Sequence, residues 1–189
     1  SQMVTLRRGD DIVRASKRTG DLVTLRELVE EVGPDACRYF FLARSPESQM
    51  EFDLDLARKQ SSENPVYYIQ YAHARLSGIL RNALEKKIDW QDGDVSLLTH
   101  DLEIALVRQI TALPDVVDRA ADRLEPQQVP HYATEVARAL QRFYDACRVI
   151  SDNEDDLPVS KARLRLVEAA QIAIARCLSL MGMSAPERM

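Results

Sequence analysis

The sequence predicts a mainly α-helical protein, in which a helical bundle follows a short segment made of a β-hairpin and connecting helices. Four or five stretches repeat apolar residues at intervals of three and four, which is the spacing of one buried helix face. Short connectors with proline or acidic residues separate these stretches, as in a bundle of neighbouring helices. The composition agrees, because 189 residues that are 46% hydrophobic and 29% charged can bury a substantial core.

Two short strands are predicted at the start of the chain, on either side of a turn at Gly9. After them, Thr24 and Glu27 have the spacing of a capping box, in which each side chain binds the backbone N–H of the other residue. The predicted helix ends at Gly33, and the next one begins at Pro34. A short apolar segment around Phe52 completes the part of the chain that precedes the bundle.

The longest helix is predicted within the stretch Asn64–Lys87, about six turns without an interrupting proline. Asn64 can accept a hydrogen bond from a free backbone N–H at the helix start, and Pro65 loses no hydrogen bond at the first helical position. One face of this helix is apolar, and we expect it to be buried. Its residues are Ile69, Ala72, Leu76, Ile79, Leu80 and Ala83.

A second face of the same helix combines aromatic and cationic side chains. Tyr68, Tyr71 and Arg75 follow one another at intervals of three and four residues. A neighbouring row contains His73 and Arg81. Aromatic rings stack on bases and guanidinium groups bind phosphate, so this face could bind nucleic acid. The spacing alone equally fits a helix surface from which tyrosines reach out of the core.

Three further helical stretches are predicted after this helix. The first is capped by Ser96 and is stopped or kinked at Pro114. The others extend over His131–Ile150 and Ser160–Met181, and Gly182 is the expected stop of the last helix.

The formal net charge of −5 argues against non-specific binding of nucleic acid, which usually needs a basic protein. An acidic chain can still bind one specific RNA if its cations cluster on one face. The three cysteines are far apart and lie in apolar helical patterns, so we expect buried, reduced thiols and a cytoplasmic location. No metal-ligand cluster, catalytic triad, phosphate-binding loop, signal peptide or membrane-spanning run is apparent.

Three sequence motifs resemble the arginyl-tRNA synthetases, which are class I aminoacyl-tRNA synthetases. NPVYYIQYAHAR (residues 64–75) is similar to the start of their anticodon-binding domain. ASKRTG (residues 15–20) and the ending MSAPERM (residues 183–189) are similar to two further landmarks, in the same order. The resemblance implies that residues 1–63 are the end of a catalytic core with connecting helices, and that residues 64–189 are a helical anticodon-binding domain.

The loop at residues 15–20 resembles the KMSKS loop of that family, in which Ser16 and Lys17 match the second serine–lysine pair. The resemblance implies that Lys17 stabilises the phosphates of ATP as pyrophosphate leaves, because negative charge develops there. The family's HIGH-like sequence is absent. We therefore expect a C-terminal fragment of a bacterial-type arginine–tRNA ligase that needs no cofactor itself and is inactive alone, while the full-length enzyme uses ATP with Mg²⁺ and L-arginine.

The remaining expected task is recognition of the anticodon loop of an arginine-accepting tRNA, without DNA or membrane partners. Specific RNA binding often stacks unpaired loop bases on aromatic rings. Tyr71 and Arg75 are the leading candidates for this role, followed by Tyr68 and His73. The resemblance adds two candidates by position, an aromatic residue on a later helix and the last residue of the chain. These are Tyr144 and Met189. The alternative function is a helical protein–protein interaction domain that does not bind RNA.

Overall fold

The computed structural model describes residues 4–9, 11–13, 23–45 and 47–189. The loop predicted to act on ATP, with Ser16 and Lys17, lies outside the described residues. In the described part of the chain most residues are in α-helices, which confirms the predicted mainly α-helical fold.

A small sheet contains three strands, β1 (Val4–Arg8), β2 (Asp11–Val13) and β3 (Met50–Asp53). The central strand β1 is antiparallel to β2 and parallel to β3, so that Leu6 lies opposite both Val13 and Phe52. The predicted hairpin of β1 and β2 is confirmed, and Gly9 has the positive φ of +59° that its turn needs. Strand β3 was not predicted, because a parallel partner distant in sequence leaves no local pattern.

Three short helices connect the sheet to the bundle: α1 (Leu25–Val32), α2 (Pro34–Leu42) and α3 (Leu54–Arg58). The capping box of α1 is confirmed, since Thr24 Oγ1 accepts a hydrogen bond from Glu27 N at 3.2 Å and Glu27 Oε2 accepts one from Thr24 N at 2.7 Å. Gly33 separates α1 from α2 with a φ of +85°, a conformation that favours glycine.

The predicted long helix is α4 (Pro65–Glu85). Asn64 Oδ1 accepts a hydrogen bond from Val66 N at 3.0 Å, which confirms the predicted cap. The amide nitrogen of Asn64 also donates to the carbonyl oxygens of Ala57 and Lys59, at 3.1 and 2.9 Å. This buried side chain therefore starts α4 and joins it to the end of α3.

The rest of the chain forms α5 (Asp101–Thr111), α6 (Leu113–Asp122), α7 (Gln128–Ala146) and α8 (Leu157–Leu180). The prediction that Ser96 caps a helix is wrong, because Val95–Leu97 is a single 3-10 turn capped by Asp94. His100 caps α5 instead: its Nδ1 accepts a hydrogen bond from Leu102 N at 3.1 Å. The predicted break at Pro114 is confirmed, since this proline lies in the first turn of α6.

Helices α4, α7 and α8 pack against one another, and α5 packs on α7 and α8. The predicted apolar face of α4 lies in this core, with Ile69, Leu76 and Ala83 fully buried. At the edge of this core the partly exposed Arg163 binds the buried Glu103, with Arg163 Nε donating to Glu103 Oε1 at 2.6 Å. One side of α4 thus lies in the core of the bundle. The remaining side chains of this helix can contact other parts of the chain or a ligand.

The three cysteines, Cys37, Cys147 and Cys177, are buried free thiols, as predicted. Burial raises the pKa of the Cys177 thiol to about 12. None of the helices in the described ranges combines the length and the apolar character needed to cross a lipid bilayer.

Candidate nucleic-acid interface

Two tyrosine rings lie side by side on the first half of α4. The ring centroids of Tyr67 and Tyr71 are 5.9 Å apart and their planes differ by 10°. Residues four apart on a helix are neighbours, so the backbone itself sets this pairing. The side chain of Tyr71 is 43% exposed, which leaves ring surface available for a stacking partner.

One turn further along α4, a guanidinium group lies on an aromatic ring of α7. The Cζ atom of Arg75 is 3.6 Å from the ring centroid of Tyr144, a close cation–π contact. Arg75 Nη1 also donates a hydrogen bond to Gln141 Oε1 at 2.8 Å. The Tyr144 side chain remains 37% exposed. The two helices therefore present an aromatic ring and an oriented cation next to each other.

Four of the predicted residues line one narrow cavity between α4 and α7, named here the α4–α7 slot. These are Tyr68, Tyr71, Arg75 and Tyr144. The hydroxyl of Tyr68 donates to the carbonyl oxygen of Ala137 at 3.4 Å, and burial raises the pKa of this hydroxyl. The slot has a volume of about 20 Å³, enough for roughly one water molecule. The slot is therefore nearly filled by its own side chains and is too small to hold a base.

The C-terminal tail, defined as residues 183–189, lies along α4. The ring of His73 is only 5% exposed, and its Nδ1–H donates to the carbonyl oxygen of Pro186 at 2.9 Å. Arg81 Nη2 donates to the carbonyl oxygen of Glu187 at 3.3 Å. Met189 is 55% exposed and lines a shallow cleft together with Tyr67. The row of His73 and Arg81 thus binds the tail, and the tail ends in the cleft that Tyr67 also lines.

Cations flank the α4–α7 slot on the α7 side. The guanidinium groups of Arg138 and Arg142 are close enough to Tyr68 to lower the pKa of its hydroxyl, against the larger effect of burial. Arg138 pairs with Glu135 at 2.5 Å, and both partners are exposed. Exposed ion pairs contribute little to stability, so a phosphate can exchange with this carboxylate at small cost.

Sequence reasoning missed several residues of this region. Tyr67 lies four residues before Tyr71, and the spacing of helical neighbours could have indicated the pair. No sequence pattern indicated Gln141 or Gln70, because a glutamine that binds a residue distant in sequence has no characteristic spacing. Asp35 belongs to the DACRYF run of α2, and nothing in that run shows that its carboxylate contacts the tail.

No cluster of three or more histidine, cysteine, aspartate or glutamate side chains in the described parts of the chain is arranged to hold a metal ion. The described surface around α4 offers rings, guanidinium groups and backbone carbonyls. Such groups can bind and orient a ligand.

Residues 69–189 match the family model described as the DALR anticodon binding domain. An arginine–tRNA ligase of Dehalococcoides mccartyi is 55% identical over 188 residues, which are 100% of this chain and 33% of that relative. An arginine–tRNA ligase of Geobacillus kaustophilus is 50% identical over 191 residues, which are 100% of this chain and 34% of the relative. The chain thus spans about a third of the length of these curated relatives.

Two solved structures are similar over most of the chain. A Campylobacter jejuni structure described as an arginyl-tRNA synthetase has a TM-score of 0.86 and 28% identity, and the match covers 100% of this chain and 40% of that chain. The Thermus thermophilus arginyl-tRNA synthetase has a TM-score of 0.72 and 28% identity, over 92% of this chain and 29% of that chain.

Proposed function

Because the chain belongs to the DALR anticodon binding domain family, we propose that it binds the anticodon loop of a tRNA on the rim of the α4–α7 slot. One observation carries the proposal: two exposed tyrosine rings, Tyr71 and Tyr144, flank the oriented guanidinium of Arg75. Flat rings next to a cation are the groups that hold unstacked bases of a single-stranded loop.

In this proposal, unpaired loop bases stack on the outer surfaces of Tyr71 and Tyr144. The guanidinium of Arg75 has five N–H donors, and Gln141 uses one of them, so others can bind base edges or phosphate. Tyr68 is half-buried and supports the slot from below. Arg138 and Arg142 contact the phosphates that enter and leave the loop.

The tail contributes a second side to the proposed site. His73 is buried and bound to Pro186, so it acts on the RNA through the position of the tail. The exposed side chain of Met189 then provides an apolar surface next to Tyr67. Bases have apolar faces, and a flexible thioether side chain packs well against an aromatic ring.

We further propose that the chain works as the C-terminal third of an arginine–tRNA ligase and that its RNA is an arginine-accepting tRNA. Relatives of that name match the whole chain at up to 55% identity. Residues 1–63 would continue from the catalytic core, and residues 64–189 would form the anticodon domain, a division supported by the cap at Asn64. ATP with Mg²⁺ and L-arginine would be substrates of the full-length cytoplasmic enzyme, with Ser16 and Lys17 near the phosphates.

The alternative, a helical domain that binds another protein, is not favoured. A partner helix needs an open apolar groove. The surface between α4 and α7 instead combines tyrosine rings and guanidinium groups around a slot of about 20 Å³.

The direct test is a titration of the chain with an arginine-accepting tRNA and with the same tRNA changed at the second base of its anticodon. We expect the altered tRNA to bind about tenfold more weakly, because the new base can still stack but lacks the correct edge hydrogen bonds, which discriminate against a wrong base by roughly 1–3 kcal/mol. A tRNA of another specificity is the matched control. Equal affinities for all three RNAs would contradict the proposal.

A further inference from the structure

The tail is attached to the bundle at a point where three distant parts of the chain meet. Gly182, with a φ of +69°, turns the backbone after α8, and Met183 is buried. The next residue, Ser184, lies between Asp35 at the start of α2 and Gln70 on α4. Beyond Met183 the tail has no regular secondary structure, so side chains must hold it in place.

The carboxylate of Asp35 is the centre of this attachment. Its Oδ2 accepts hydrogen bonds from Ser184 N at 3.1 Å, from the Ser184 hydroxyl and from Gln70 Nε2 at 2.8 Å. Gln70 Nε2 also donates to Ser184 O at 3.0 Å. Hydrogen bonds to an ionised acceptor are about twice as strong as those between neutral groups. Asp35 therefore binds a backbone N–H of the tail. It also orients the side-chain amide of Gln70, which binds the tail from the other side.

The position of Asp35 separates this contact from the other tail contacts. His73, Arg81 and Gln70 are all on α4, the helix that carries the proposed RNA site. Asp35 is on α2, outside the residues matched by the anticodon-domain family model. A carboxylate on α2, outside the anticodon-domain match, thus helps to fix the path of the tail.

We propose that Asp35 is a positioning residue for tRNA binding, which holds Ser184 so that Met189 stays in the cleft beside Tyr67, the ring that stacks on Tyr71. Asp35 does not itself contact the RNA. The inference rests on the proposed function for its RNA part, whereas the attachment of the tail can be measured without any RNA.

The test compares Asp35→Ala with Asp115→Ala. Both aspartates follow a proline in the first turn of a helix, α2 and α6 respectively, so both variants remove the same favourable interaction with a helix N-terminus. Of these two aspartates, Asp35 is the one that contacts the tail. The first measurement is the rate at which a carboxypeptidase removes the last residues. We expect at least fivefold faster release in Asp35→Ala, an intermediate rate in Asp35→Asn, and the unchanged rate in Asp115→Ala.

The second measurement is the dissociation constant of the arginine-accepting tRNA, with and without residues 184–189. In the full chain, Asp35→Ala should weaken binding about tenfold, as expected for losing hydrogen bonds to a charged acceptor. In the shortened chain the same substitution should change affinity less than twofold, because the tail through which it acts is gone. A purely structural role of Asp35 would weaken both chains equally.

Equal effects of Asp35→Ala in the full and shortened chains would overturn the proposal, and so would an unchanged rate of tail release. If the original chain binds all tRNAs equally, the proposed function fails while the tail-release result still decides whether Asp35 holds the tail. Thermal unfolding of Asp35→Ala and Asp115→Ala at similar temperatures would confirm that both variants fold.

Discussion

An exposed tyrosine is a useful surface for a base only if its ring is held in a fixed orientation. Tyr71 meets this condition because Tyr67 lies parallel to it at 5.9 Å on the side toward the helix start. Tyr144 meets it because Arg75 covers one of its faces. At both positions the protein contacts one face of the ring, and part of the ring stays exposed to a stacking partner.

We expect Tyr71→Ala to weaken tRNA binding by more than 1 kcal/mol, because stacking on an aromatic ring contributes roughly 1–3 kcal/mol per base. Tyr71→Phe keeps the ring and is the matched control, with affinity close to the original. Fluorescence titration with labelled tRNA gives both constants. An unchanged constant for the alanine variant would show that Tyr71 has no part in binding.

At the scale of elements, much of the bundle could be predicted because helix signals are local. The cap at Asn64, the proline at the first helical position and the apolar face of α4 all lie within 20 residues and agree with one another. The cap of α5 was misplaced because Ser96 is a common capping residue, whereas His100 is an unusual one that acts through a ring nitrogen.

The candidate site was predictable to a smaller extent. Spacing on one helix was enough to place Tyr68, Tyr71 and Arg75 on a shared face, and the structure brings them together in one slot. Their role in RNA binding stays a prediction. Contacts such as Asp35 with Ser184 join residues 149 positions apart, and only the packing of several helices determines them.

Asn64→Ala should lower the free energy of unfolding by about 2 kcal/mol, because the helix cap is lost and two carbonyl oxygens lose their buried donor. Asn153→Ala is the control, since Asn153 caps a short exposed 3-10 turn and its loss should cost less than about 0.5 kcal/mol. Urea denaturation measures both values. Equal losses for the two variants would show that Asn64 acts as an ordinary surface cap.

At the scale of the whole molecule, a net charge of −5 accompanies a site that presents arginines on α4 and α7. In the proposed complex the acidic remainder of the surface would repel RNA, and binding would depend on the cations around the slot. This distribution favours one oriented complex over sliding along an RNA backbone.

The three buried thiols provide a test of the whole core. An aromatic disulfide reagent at pH 8 should react slowly with the folded chain and rapidly with all three cysteines in denaturant. Burial raises the pKa of Cys177 from the ordinary 9.0 to about 12. The unfolded chain therefore releases thiol protons first, and the free energy of unfolding should fall as pH rises above about 9. Rapid labelling of the native protein would contradict this packing.

Asn64 caps α4, and three of the groups that bind the tail, Gln70, His73 and Arg81, lie along this single unbroken helix. The distance along the helix axis from Asn64 to Arg81 is about 25 Å. A movement of α4 as a rigid body would therefore displace its junction with α3, the tyrosine pair and its contacts with the tail at the same time. A rotation of α4 by a few degrees about its long axis would displace the tyrosine rings and the α4 side chains that bind the tail together, so in the proposed complex tRNA binding at the rings would also alter the tail contacts.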